Sequence, residues 1–283
     1  MITLSNVSFR YNKKVQLFSN LNLAMVPGGI YGLLGKNGVG KTTLLKIIAG
    51  IIFAQKGTIQ IFGFNPQKRN PRMLADLFFL PEEFGLPAIS IDSYLRRFAC
   101  FYSGFDQAAF TNYLKEFGLT ANDKLSALSY GQKKKFLIAF GLASRTRLLI
   151  MDEPTNGLDI PSKTIFRKLI ASIADSDRII LISTHQIRDL ENLIDPVIIL
   201  NDGEIVLNES IESITKTITT AVVSDAALTT KAIYCEKNMA GFAVALKKDE
   251  SIDGNVDLEI LFNATIGNPE VMADMFKKSE GAV

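Results

Sequence analysis

The stretch GKNGVGKTT, Gly35 to Thr43, constrains this chain more than any other. It fits G-x-x-x-x-G-K-[ST] at Gly35, Gly40, Lys41 and Thr42, with Asn37, Gly38 and Thr43 inside or beside the pattern. Such a loop needs a strand to deliver it and a helix to leave by. GIYGLL before it is strand-like, and TTLLKIIAG behind it is helix-like, closed by Gly50. Glycines let backbone N–H groups wrap around phosphates, and the helix N-terminus adds positive potential. Lys41 has the reach to bridge β- and γ-phosphates, and the Thr42 hydroxyl suits Mg²⁺. The competing account is a glycine-rich turn that matches by accident; the strand and helix on either side argue against it.

The remaining strands suggest what sheet carries the loop. RLLIMDE, RIILIST and PVIIL are short and continuously apolar, as strands buried on both faces of a parallel sheet are. Asn201-Asp202-Gly203 then makes a hairpin turn into EIVLN. ITLSNVSFRY, NLNLAMV and GTIQIFG read as further strands. From about Pro66 to Ala127 the spacing becomes helical, with Ile91, Tyr94, Leu95, Phe98, Phe101 and Tyr102 on one period, so a mostly helical insertion is expected. The aromatic stripe Tyr94, Phe98 and Phe101 is expected to be core; a groove for a partner helix is the alternative. FLIAFGLA, apolar all round, is expected as a buried helix. Beyond about Glu209 the texture is Thr- and Ala-rich, which suggests a small appended domain to Val283.

Two more stretches carry chemistry. RLLIMDEP ends an apolar strand in Asp152 and Glu153, setting two carboxylates at a sheet rim. Asp152 suits the shell of a Mg²⁺ ion and Glu153 suits polarising an attacking water. An acidic strand end that caps a neighbouring helix is the plainer reading, and the phosphate loop tips the balance toward catalysis. In LSYGQ, Ser129 and Gln132 form a capping box for the helix that follows. Gly131 lies in its first turn, where a bare backbone admits an anion. At least two of Lys133, Lys134 and Lys135 are expected on a solvated face. The only histidine, His185, closes the run RIILISTH.

Composition excludes several classes. Lys plus Arg number 31 against 29 Asp plus Glu, a balance that argues against nucleic acid as a main partner. Cys100 and Cys235 are isolated, which fits neither a disulfide framework nor a zinc site. MITLSNVSFRY lacks the pattern of a signal peptide, and the longest apolar run, IIAGIIFA, is far short of the ~18 residues of a membrane span. The chain reads as soluble, with any membrane role passing through a partner.

GKNGVGKTT, LSYGQ, LLIMDEP, TNGLD and ISTH, in that order, resemble the ATP-binding subunits of ABC transporters over roughly residues 2–208. LSYGQ discriminates, since other P-loop ATPases share the remaining pieces; its Tyr130 stands where the family usually has glycine. The resemblance implies an α/β fold: a P-loop NTPase core with a mixed sheet, an antiparallel N-terminal β subdomain and a helical subdomain at about 66–145. A small C-terminal α+β extension, 209–283, follows this ATPase domain of 1–208. It also implies ATP and Mg²⁺ as ligands and a head-to-tail dimer, homo- or heteromeric. Each ATP would lie between the Lys41 loop of one subunit and the Ser129/Gly131 helix end of the other, with Gln132 beside it. Tyr11 would stack on adenine, Asp159 would lie across the dimer interface, and His185 would contact the γ-phosphate and hold Glu153 and the attacking water in line. Glu82, in FFLPEE, stands where the family usually has a Mg²⁺-touching glutamine, and it cannot donate the amide hydrogen bonds a glutamine would. A separate membrane permease, served from the cytoplasmic face and more in the manner of exporters than importers, is the partner this implies. An ABC-type ATPase acting on a soluble assembly is the alternative.

Overall fold

β-branched and leucine-rich runs that are buried from end to end set the centre of the molecule. In the computed structural model, which describes residues 1–12, 15–223, 226–248 and 256–280, the N-terminal half begins with β1 (Ile2–Phe9), β2 (Phe18–Met25) and β3 (Ile30–Leu34). Next come α1 (Lys41–Ile48), β4 (Lys56–Ile61), α2 (Pro71–Ala75) and β5 (Leu77–Leu80). Three helices follow, α3 (Ile91–Phe98), α4 (Gln107–Glu116) and α5 (Tyr130–Ala143). The chain then returns through β6 (Leu148–Asp152), α6 (Ile160–Ser172), β7 (Ile179–Thr184), β8 (Val197–Asn201) and β9 (Glu204–Glu209).

The main sheet has the order β5-β6-β7-β3-β8-β9; it is parallel from β5 to β8, and β9 returns antiparallel through the expected hairpin. Register matters more than order here. Leu34 pairs with Thr184, and Asp152 pairs with Ser183, so β3, β6 and β7 end side by side. The loops leaving those three ends are the glycine loop, Glu153 and His185. Ligands of open parallel sheets sit at such carboxyl ends.

A second sheet, β2-β1-β4, is antiparallel. Its apolar face (Ile2, Leu4, Phe18, Leu21) packs with Leu44, Leu45 and Ile48 of α1 and with Leu33, Ile150 and Leu181 from the main sheet. Each such side chain contributes about 1.5–3 kcal/mol on full burial. α1 is thereby clamped between two sheets, which fixes the loop at its start. The other face of the main sheet carries a separate core, where Phe136 and Phe140 of α5 meet Phe110 of α4. Tyr94 meets both phenylalanines in T-shaped contacts, with ring centres 5.0 and 5.3 Å apart. Tyr94 and Phe98 therefore pack against this core, partly buried, whereas Phe101 is 63% exposed.

One expectation changes. The segment after Pro66 is not helical throughout: β5 lies within it and pairs with β6, Leu77 opposite Leu148. Four continuously apolar residues show no period of their own, and the strong helical spacing beyond them masks the strand. At the C-terminal end come α7 (Ile211–Thr217), β10 (Ile218–Val223), β11 (Tyr234–Asn238), β12 (Gly241–Lys247), α8 (Leu258–Gly267) and α9 (Pro269–Glu280). The sheet β10-β12-β11 is antiparallel, and Ile214, Ile218, Leu261 and Met272 join the α5 core. Among the described residues no helix is long and apolar enough to cross a membrane.

Candidate functional site

A cavity of about 600 Å³ opens at the carboxyl ends of β3, β6 and β7, lined by Asn37, Gly38, Gly40, Lys41, Thr42 and Thr43 on one side and by Glu82, Glu153 and His185 on another. Gly40 has φ +112°, and a Cβ there would meet the Phe18 ring at 2.9 Å, so only glycine turns the chain into α1 at this point. No side chain caps the first turn of α1, which leaves its N–H groups for an anion. Gly35 is buried behind the loop, and its carbonyl accepts a hydrogen bond from Lys41 Nζ at 2.7 Å. Burial lowers the Lys41 pKa, and Glu153, 3.7 Å away, pulls it back up.

Behind Lys41 the carboxylates divide the work. Asp152, fully buried, accepts from Thr42 Oγ1 at 2.7 Å and from Ser183 Oγ on its other oxygen. A hydroxyl and a carboxylate side by side are two hard oxygen donors, the set a Mg²⁺ shared with phosphates uses. The residues present fit that ion. Glu153 is only 3% exposed, and its Oε1 lies 2.8 Å from His185 Nδ1. Its backbone has φ +47°, a left-handed conformation that is rare outside glycine and recurs at active sites. Neither carboxylate caps a helix, so the plainer reading of this strand end does not hold.

The rim shows where Tyr11 and Glu82 stand. Tyr11 is 67% exposed, packs edge-on against Phe9, and shares a 2.9 Å hydrogen bond with the Thr43 hydroxyl. Asn12, Val15 and Leu17 line the cavity beside it; sequence reasoning missed them, and their position just after Tyr11 is the only signal. Glu82 Oε1 accepts from Asn156 Nδ2 at 3.1 Å.

Ser129, Gly131, Gln132 and Asp159 do not line this cavity. They form a second cluster. Ser129 and Gln132 make the reciprocal capping box at the start of α5. Asp159 caps α6 and pairs with Lys135 at 3.3 Å; its hydrogen bond with Ser162, then Lys135, holds its carboxyl below the usual range. A Cβ on Gly131 would lie 2.7 Å from the Gly157 carbonyl, so close backbone contact is one demand for glycine here.

Two further side chains at the start of α5 matter to the site. Tyr130 stacks on Phe84 at 5.4 Å, and its hydroxyl donates to the Glu82 carbonyl at 2.6 Å. Burial, ahead of Glu82 and Glu83, raises its pKa. Lys134 is not on a solvated face: it is fully buried, and Lys133 and Lys135 are only partly exposed. α5 is buried nearly all round from this point, so one of three consecutive lysines has to turn inward. Lys134 stands four residues before the buried Ile138, the helical spacing that could have revealed it.

Comparison with known proteins decides the family. The profile of the ABC transporter family matches residues 18–156. ABC transporter ATP-binding protein NatA of Bacillus subtilis is 32% identical over 225 residues, 76% of this chain and 91% of NatA. The chain belongs to the ABC transporter family. It is an ATP-binding subunit of that family, and the lantibiotic transport ATP-binding protein SrtF of Streptococcus pyogenes is 29% identical over 74% of it and 90% of SrtF. Among solved structures, the dimeric post-hydrolysis state of the cassette MJ0796 bound to ADP and Pi superposes with TM-score 0.65 at 23% identity, over 74% of this chain and 98% of that one. The P-loop NTPase fold is shared with it.

Proposed function

We propose that this subunit hydrolyses ATP at a head-to-tail dimer interface and powers a separate membrane permease, with export as its direction. Glu153 acts as general base: it takes a proton from water as the oxygen attacks the γ-phosphorus and the bond to the β-phosphate oxygen breaks. His185 holds the Glu153 carboxylate in line. Lys41 and the first turn of α1 bind the phosphates, with Gly35, Asn37, Gly38, Gly40, Thr42 and Thr43 shaping the loop. Thr42 and Asp152, with Glu82 at the rim, would hold Mg²⁺, which supplies positive charge to the β- and γ-phosphate oxygens. Tyr11 stacks on the adenine ring of the nucleotide. Ser129, Gly131 and Gln132 of one subunit complete the site of the other, and Asp159 lies at the contact between them. Residues 1–208 are the ATPase domain, with a helical subdomain at about 66–145, and 209–283 an accessory one.

The observation that carries this reading is the division of the site. The loop, Glu153 and His185 line one cavity, while the capping-box cluster stands apart from it. Two anion-directed features on one chain make sense when each serves a different nucleotide, and a dimer supplies that. Transport draws its support from SrtF, whose name assigns it to lantibiotic transport, and export from the resemblance of the LPEE stretch and the C-terminal extension to export subunits. The subunit would then sit on the cytoplasmic face of the membrane through its permease, with no nucleic acid partner. The test is affinity capture of the tagged chain from detergent-solubilised membranes of its source cells. A stoichiometric polytopic membrane protein is the expected companion. Soluble companions alone, with ATPase activity intact, would move the reading to an ABC-type ATPase acting on a soluble assembly.

A further inference from the structure

Lys134 is a buried basic group beside the site to which the reaction above gives no task. It is 0% exposed, yet its side chain ends in a polar amino group. Its Nζ donates to the Glu153 carbonyl at 2.7 Å and to the Asn156 carbonyl at 3.2 Å, and it lies 5.5 Å from the centre of the Tyr130 ring. Burial lowers its pKa, while Glu82, Glu153 and Asp152 raise it. An ammonium is expensive to bury, and its helical neighbours Phe136, Leu137 and Ile138 are apolar. Stability alone would favour an apolar side chain of the same length here.

The two carbonyls it bridges are the ends of one turn. Glu153 to Asn156 is the segment that carries the catalytic strand out of the sheet, and the Asn156 N–H also donates to the Glu153 carbonyl at 3.2 Å. The Glu153 N–H is held in turn by the Ser183 carbonyl at 3.2 Å. Both peptide planes flanking the left-handed Glu153 are therefore fixed, one by β7 and the other by Lys134. The same turn presents Asn156, which donates to Glu82 Oε1 and accepts from Gln186 Nε2, the residue beside His185. We propose that Lys134 is a positioning residue: the two hydrogen bonds its Nζ donates pin the Glu153–Asn156 turn to the start of α5 and thereby set the aim of the Glu153 carboxylate. The proposal rests on Glu153 being the general base. It also gives a physical link between the helix end that serves the partner's nucleotide and the base of the chain's own site, since both hang on the same turn of α5.

The test uses the purified full chain, with kcat and KM for Mg-ATP, nucleotide affinity and thermal unfolding measured for K134M, K134Q, E153Q and K134M/E153Q. Met fills the same volume without donors; the Gln amide keeps donors without charge. K134M is expected to lose about 10- to 100-fold in kcat, the cost of a misplaced group, with KM and affinity within about twofold. K134Q is expected to stay within about threefold of wild-type kcat, and K134M is expected to add less than about twofold to the loss already caused by E153Q. Wild-type kcat in K134M overturns the proposal. So does an equal loss in both backgrounds, which marks a merely structural role, or a K134Q as slow as K134M. Should K134M fail to fold, K134Q decides: near-wild-type turnover supports the donor role, and lost turnover with nucleotide binding intact overturns it. A fully active E153Q sinks the base assignment itself, whereas an inactive E153Q beside a fully active K134M sinks the Lys134 proposal alone.

Discussion

At the scale of single residues the site depends on how Glu153 is held. A left-handed backbone costs a non-glycine residue about 1–3 kcal/mol. Here that cost is met by bonds on every side of the residue: Ser183 at its N–H, Lys134 and Asn156 at its carbonyl, and His185 at its carboxylate. The carboxylate is therefore held in place before any nucleotide arrives. Glu153→Gln preserves shape and most of these bonds while removing the basic oxygen. Turnover of Mg-ATP is expected to fall by about 10²–10⁴-fold, the usual contribution of a general base, with nucleotide affinity unchanged. Steady-state phosphate release together with titration of a fluorescent ATP analogue measures both. Normal release would remove Glu153 from the role.

Between elements, the contact that matters is where α5 starts against the turn before α6. The first turn of α5 carries the capping box, Tyr130 reaches back to the Glu82 segment, and Gly131 lets the Gly157 carbonyl approach. Gly131→Ala pushes a methyl to 2.7 Å from that carbonyl, so one of the two elements has to move by several tenths of an ångström. ATP binding to the isolated chain is expected to stay within about twofold, while hydrolysis drops about tenfold or more because the second half of the shared site shifts. Gly85→Ala, in open space nearby, is the control expected to match wild type. Equal hydrolysis in both variants would argue against this contact's importance. The capping box and the parallel strands were legible in sequence because local hydrogen bonding and β-branched apolar runs announce them. β5 was not, since four residues have no period. The inward turn of Lys134 had only a weak signal, its helical spacing to Ile138, which the basic triplet around it masks. The residues that meet in the cavity, from Thr42 to His185, were nameable from motifs. Their convergence rests on the sheet register, Leu34 with Thr184 and Asp152 with Ser183, which a single sequence does not state.

For the whole molecule, the decisive property is that the glycine-loop cavity and the capping-box cluster lie in two places. One chain can bind a nucleotide in the cavity beside Lys41 but cannot bring its own Ser129 cluster to it without undoing the packing of α5 against β5, α4 and α6. A second chain, rotated head to tail, can supply that cluster to each cavity, and the two nucleotides then act as glue between subunits. Hydrolysis would release the contact, so a variant that binds Mg-ATP without cleaving it should hold it. E153Q is therefore expected to double in mass on light scattering when saturated with Mg-ATP, and to return to the monomer when the nucleotide is removed. Adding Ser129→Arg puts a bulky side chain at the helix end that the proposed dimer brings to the partner's nucleotide. The double variant should bind Mg-ATP as tightly per chain as E153Q yet remain a monomer. If E153Q stays monomeric with every cavity filled, the two clusters do not share a nucleotide, and the dimeric mechanism fails. If the double variant still pairs, the contact between subunits lies elsewhere than at the start of α5.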